Sequence, residues 1–189
     1  MGLEPEDRIL LGRLVRQSLA TALAGGEYVP DPELGDRPGL GERRGCFVTL
    51  KKDGRLRGCL GCFTAAAPLY LTAAAYARHS ALDDYRFAGN RLRPEDLPEI
   101  EAELSVLTPL QPCREPRRII LGTHGIQVSR GGRSGCFLPQ VAEETGWSVE
   151  EFWGHCCRDK AGLPWDAWLR PDTELLTFTA EIVPCPVEK

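Results

Sequence analysis

The sequence predicts an α+β fold, mainly antiparallel sheet packed with helices. Three observations carry that expectation. Helical and strand periodicities are interspersed without a regular strand–helix–strand beat. Two pairs of strand-like runs are joined by tight-turn signals, at Asp53-Gly54 and across Arg130 to Arg133. The apolar fraction of 42%, beside 26% charged residues, is that of an ordinary globular chain able to bury a core. At 189 residues the chain is expected to be one domain, residues 1–189.

Leu10, Leu11, Leu14, Val15, Leu19, Ala22 and Leu23 recur at helical spacing, and Gly25 with Gly26 ends the helix. The stretch 27–45 is rich in Pro, Gly and charge and reads as a long extended arm. Cys46 to Lys52 is a β-rich run. Asp53-Gly54 is the preferred pair for a two-residue type I′ turn, and Arg55 to Leu60 is the return strand. A second helix is expected over Pro68 to Ala81, with the proline in the first turn. Asp83 to Pro98 is polar and irregular. Ile100, Ala102, Leu104 and Val106 alternate with Glu101, Glu103 and Ser105, as in a half-buried strand. A second hairpin pairs Gly125–Ser129 with Gly135–Leu138. Ser148 and Glu151 form a capping box before the apolar stripe Val149, Phe152, Trp153 and Cys156, and Gly162 is the stop. Leu175 to Val183 alternates again and reads as a last strand.

Charge narrows the function classes. The formal net charge is −4 and the sequence pI about 5.5, whereas nucleic-acid binders usually carry a basic stripe. The pairs Arg43–Arg44, Arg55–Arg57 and Arg117–Arg118 read as solvated surface charge or as local anion sites. The start of the chain is acidic and lacks the basic and apolar regions of an export signal. The longest nearly apolar run, Ala65 to Ala77, is too short for a bilayer, so a cytoplasmic location away from membranes is expected. In that setting the eight cysteines read as reduced thiols, most of them small buried hydrophobes.

Leu56-Arg57-Gly58-Cys59-Leu60-Gly61 is the most informative segment. Glycines on both sides of a cysteine permit positive φ and close approach by a ligand, and can leave backbone N–H groups free to hold an anion. Cys59 is then an exposed nucleophile, and the neighbouring cation Arg57 favours its thiolate. The same residues also read as a tight turn in which Cys59 is merely small. Cys59 and Cys62 make a C-x-x-C pair, only half a zinc site, so no metal and no cofactor is expected. His124, in a loop between Gly122 and Gly125, is the candidate acid or base, or else a turn residue bonded to its own backbone. Asp84 and Arg86, beside Phe87, could hold a polar ligand or simply pair with each other. The four tryptophans read as core packing.

Leu56 to Gly61, taken with Ser105-Val106-Leu107-Thr108-Pro109, Gly122 to Gly125, Phe137 to Val141 and Lys160-Ala161-Gly162-Leu163, resembles the AMMECR domain family. Its prokaryotic members are known as AmmeMemoRadiSam system protein A. Asp84-Tyr85-Arg86-Phe87 resembles the family's Asp-Pro-Arg-Phe segment. The likeness runs from about Phe47 to Val183. Departures are Leu60 for Ile, Tyr85 for Pro, and Phe87-Ala88-Gly89 for Phe-Pro-Pro; Cys62 lies outside the family motif. The resemblance implies an α+β fold with a larger and a smaller lobe, and Memo-like and radical S-adenosylmethionine proteins as partners. It also implies that the six-residue segment is an active or binding site. The leading expectation is therefore a cysteine-dependent enzyme of unknown substrate. Cys59 is its nucleophile, His124 its acid or base, and Arg57 with the amides of Gly58 and Gly61 holds negative charge. The second expectation is a non-catalytic module for an anionic ligand or for the partner proteins; RNA binding is the third and is disfavoured by charge.

Overall fold

The computed structural model describes residues 2–187, and they fall into two compact units. The first is built from the chain up to Leu107 together with the stretch from Glu181; the second is Thr108–Ala180.

The first unit opens with α1, Pro5–Leu23. Leu11, Leu14, Val15 and Leu19 are fully or almost fully buried, as their spacing predicts. Gly25, at φ 79°, follows its end. Segment 27–45 is not the extended arm expected. Pro32 and Pro38 each sit in a first helical turn, where a missing N–H costs nothing, and start a 3₁₀ turn at Pro32–Asp36 and a short helix α2, Pro38–Gly41. Asp31 accepts from Glu33 N–H at 3.0 Å, and Leu40 is fully buried, which pins the segment to the core.

Strands β1, Cys46–Lys52, and β2, Arg55–Cys62, form the first hairpin. Asp53 and Gly54 both have positive φ, 53° and 67°, as the type I′ turn requires. Helix α3, Leu69–Leu82, follows, with Pro68 as its cap residue rather than inside it. Two 3₁₀ turns, Tyr85–Phe87 and Pro94–Glu99, order the polar stretch before β3, Ile100–Leu107. Cys46, Val48 and Leu50 of β1 join Leu104, Val106 and the buried faces of α1 and α3 in one apolar cluster. Arg16 of α1 is buried at 7% exposure and donates to the carbonyls of Cys185 (3.1 Å) and Ile100 (2.7 Å). Desolvation lowers its pKa from the ordinary arginine value.

The second unit contains β4, Gln111–Pro112, and the hairpin of β5, His124–Arg130, and β6, Arg133–Phe137. Gly131 and Gly132, both at positive φ, make its turn. Helix α4, Gln140–Thr145, has no periodicity long enough to show in the sequence. Helix α5, Val149–His155, carries the expected reciprocal capping box of Ser148 and Glu151. It passes into a π-helical turn, Cys156–Lys160, and Gly162 at φ 63° ends the segment. Phe152, Trp153, Cys156 and Trp168 are buried together. The long strand β7, Glu174–Cys185, begins in this unit and ends in the first.

The strands form one seven-stranded sheet in the order β2-β1-β3-β7-β5-β6, with β4 beside β7. β1 pairs antiparallel with β2 and β3, β5 with β6 and β7, and β4 with β7. Among the described residues no helix is long and apolar enough to cross a membrane.

Candidate functional site

Cys59 lies in a regular edge strand, not in a glycine bend. Neither Gly58 nor Gly61 has positive φ. Gly58 pairs with Leu50, Cys59 with Thr49 and Gly61 with Phe47. The anion-holding nest expected from the flanking glycines is therefore corrected: these glycines answer to close packing. A Cβ on Gly58 would stand 2.0 Å from the backbone oxygen of Ser80 in α3. A Cβ on Gly61 would stand 2.4 Å from the ring of Phe47. Without side chains at these two positions, α3 can press on one face of β2 and Phe47 can lie across the other.

One residue decides which face Cys59 takes. Next to the turn, Lys52 pairs with Arg55 and Lys51 with Leu56; beyond it, Leu50 pairs with Gly58. Arg57 is the extra residue, a β-bulge. Continued without it, the register would put Cys59 opposite Val48, whose side chain is fully buried in the cluster under α1 and α3. With the bulge, Cys59 stands opposite Thr49 on the other face and is partly exposed. Its sulfur lies 3.4 Å from Thr49 Oγ1. The next row of that face holds Phe47, whose ring meets Phe63 edge-on at 5.3 Å. On the other side of Thr49, in β3, stands Glu103.

The backbone of Cys59 is held from outside the sheet. Its N–H donates to Asp84 Oδ2 at 2.9 Å, and its carbonyl accepts from Arg86 Nη2 at 2.9 Å. These are the groups that an edge strand leaves open, and the pair Asp84–Arg86 satisfies them as a further strand would. Asp84 also accepts from Arg86 Nη2 at 2.6 Å and Nε at 2.9 Å, and from the Arg86 N–H at 3.2 Å. Its side chain is 1% exposed, that of Arg86 39%. Burial works against the charge of Asp84. The hydrogen bonds from Arg86 and from Cys59 N–H outweigh it, so the carboxyl stays below its ordinary value. Arg86 is raised, chiefly by its bond to Asp84. Its guanidinium also lies 5.5 Å from the centre of the Phe87 ring.

Ser80, fully buried, completes the frame: it receives Leu60 N–H at 3.0 Å and donates to Val48 O at 2.8 Å. The expected cation behaves differently. Arg57 Nη2 donates to the carbonyl and to the side-chain oxygen of Asn90, at 2.9 and 3.0 Å, so Arg86, not Arg57, is bonded to Cys59. Arg57 Nε is buried and has no hydrogen-bond partner among the described residues. Cys59 and Cys62, three apart on a strand, take opposite faces, so the C-x-x-C spacing cannot converge on one metal. Among the described residues no group of three His, Cys, Asp or Glu side chains gathers as a metal set.

His124 belongs to the second unit, and it is the first residue of β5 rather than a loop residue. It pairs with Thr179, and its Nδ1 accepts from Ile120 N–H at 2.9 Å. A neutral ring bonded this way carries its proton on Nε2. His155 stacks on Trp147 with ring centres 3.8 Å apart and binds Asp159 at 2.7 Å through Nδ1. Trp153 and Trp168 are core, as expected, whereas Trp147 is only partly buried and Trp165 is exposed, against the expectation for all four. Thr49, Ser80 and Phe47 are the site residues that sequence reasoning did not find. The hairpin turn gives a count across the strands, but the count is off by one until the bulge is known.

The family model described as AMMECR1 matches residues 12–183. A protein of Thermococcus gammatolerans is 42% identical over 182 residues, 91% of this chain and 87% of its own. Protein MK0488 of Methanopyrus kandleri is 41% identical over 185 residues, 94% of this chain and 87% of its own. The crystal structure of the uncharacterised protein PH0010 of Pyrococcus horikoshii superposes with a TM-score of 0.88 at 38% identity. It covers 99% of this chain and 97% of that one.

Proposed function

Since the chain belongs to the AMMECR1 family, whose pattern runs over most of its length, we propose that its first unit carries a cysteine-dependent site with Cys59 as the nucleophile. The observation that carries this reading is the fixed, partly exposed thiol. Its backbone N–H and carbonyl are held along the outer edge of β2 by the buried Asp84 carboxylate and by Arg86, and its sulfur meets Thr49 Oγ1. A clamped nucleophile loses little freedom when a substrate arrives, which lowers the cost of reaching an attack geometry. The thiolate of Cys59 attacks an electrophilic carbon or a transferable group. Arg86, kept protonated by Asp84, supplies positive charge beside it. Phe47 and Phe63 offer an aromatic wall in the neighbouring row. The reading uses only residues of the first unit and requires no cofactor.

A second reading is a non-catalytic site that holds a ligand or Memo-like and radical S-adenosylmethionine partners. One observation favours it: the group that meets the Cys59 sulfur is a hydroxyl rather than an imidazole. The rate of iodoacetamide labelling at Cys59, with the Cys59→Ser variant as blank, separates the two. The enzymatic reading expects labelling several-fold faster in the folded chain than in the urea-unfolded one. Labelling no faster than in the unfolded chain overturns it in favour of the binding module.

A further inference from the structure

A second pair of cysteines lies in the same hairpin and takes no part in the site above. Cys46 of β1 and Cys62 of β2 are direct cross-strand partners. The hydrogen-bonding pattern tells which kind of pair they form. Cys59 turns its N–H and carbonyl outward to Asp84 and Arg86, so Thr49 and Cys59 are an open pair. Pairs alternate along an antiparallel ladder, so Cys62–Cys46, three residues on, stands at a bonded position. Bonded partners have Cα atoms about 5.5 Å apart and side chains on one face, within the roughly 4.4–6.8 Å that a disulfide spans. The two thiols differ in setting: Cys46 is fully buried, Cys62 partly exposed, and Cys62 shares a hydrogen bond with the hydroxyl of Tyr76 in α3.

We infer that Cys46 and Cys62 are a reversible dithiol–disulfide couple, oxidised by exchange with a small-molecule disulfide. The Cys62 thiolate, the accessible partner, attacks one sulfur of the reagent and expels its other half as a thiolate. Cys46 then gives up its proton and attacks Cys62 Sγ, expelling the second thiolate. Two cysteine thiols become one disulfide, and the reagent is reduced to two thiols that take up the two protons. Burial pushes the Cys46 thiol up, so the second step is the slow one. A bridge within a bonded pair is held by the ladder at the sheet's own spacing and stays open to reduction.

The test treats the intact chain with oxidised glutathione, digests it without reductant, and maps the linkages by mass spectrometry. The expected result is a peptide joining Cys46 to Cys62, lost on adding dithiothreitol and still formed in the Cys59→Ser variant. In Cys46→Ala the glutathione mixed disulfide accumulates at Cys62. The inference is overturned if the unaltered chain leaves Cys62 as a thiol, keeps glutathione on it indefinitely, or joins it to Cys59. Because the labelling of Cys59 is read separately, either result stands without the other.

Discussion

At Asp84 two opposing effects meet, and their balance predicts a pH response. The carboxylate is almost completely shielded from water, which alone would favour its neutral form. Four hydrogen bonds from Arg86 and the Cys59 N–H reverse that. Its pKa in the folded chain is lower than in the unfolded chain, where a carboxyl of this type sits near about 3.9. Its contribution to stability is therefore complete above that value and disappears as pH falls through the lower, folded one. Asp84→Asn is expected to cost about 1–3 kcal/mol at neutral pH. Half-exposed Arg86 can turn to water, which keeps the loss toward the lower end. Urea unfolding at pH 7 and at pH 3 checks this, because the gap between variant and parent should narrow at the acid end. The same substitution loosens the outer edge of β2, so iodoacetamide labelling of Cys59 should lose its single rate.

At the scale of elements, the bulge at Arg57 governs what the hairpin presents. A strand has a period of two, so a slip of one residue exchanges its faces. Deleting Arg57 removes the extra residue, so the ladder runs on without a break: Gly58 still meets Leu50, and Cys59 still meets Thr49 on the open face. Labelling of Cys59 should then persist near the parent's rate, and stability should change by only about 1 kcal/mol as the hydrogen bonds of Arg57 to Asn90 are lost; a fall to the rate of the buried thiols would refute the assignment of the bulge. Chemical denaturation and peptide mapping read the two effects. The hairpin also shows where sequence reasoning reaches its end. Its turn, its first strand and the start of its return strand are visible in residue types, as are α1, α3, β3 and the capping box of α5. Each is signalled by residues close together in the chain. The bulge, the packing of Gly58 against Ser80 and the capture of Cys59 by Asp84 are not, because they depend on residues 22 to 32 positions away meeting in space. The six-residue segment is therefore recognisable as special from its residue types, but its conformation is not: two flanking glycines suggest a bend, and here they serve close approach.

At the scale of the whole molecule, the chain order of the two units matters most. The second unit is contiguous, Thr108–Ala180, whereas the first needs residues from both ends of the sequence. Arg8 of α1 donates to Glu181 at 2.7 Å and to the carbonyl of Ile182 at 2.7 Å, and Arg16 reaches the carbonyl of Cys185. Removing everything after Ala180 leaves the buried Arg16 guanidinium short of a partner, a loss of several kcal/mol for a charged group in such a place. Hydrogen exchange should show α1 and β3 losing protection in the truncated chain while β5, β6 and α5 keep theirs; equal protection throughout would refute the argument. The joining strand β7 has a further consequence for biosynthesis. On the ribosome, residues 108–180 are made before residues 181–185. Helix α1 must wait for the whole second unit to be translated before its neighbours in β7 exist. During that interval its apolar side is a natural client for whatever shelters nascent polypeptides.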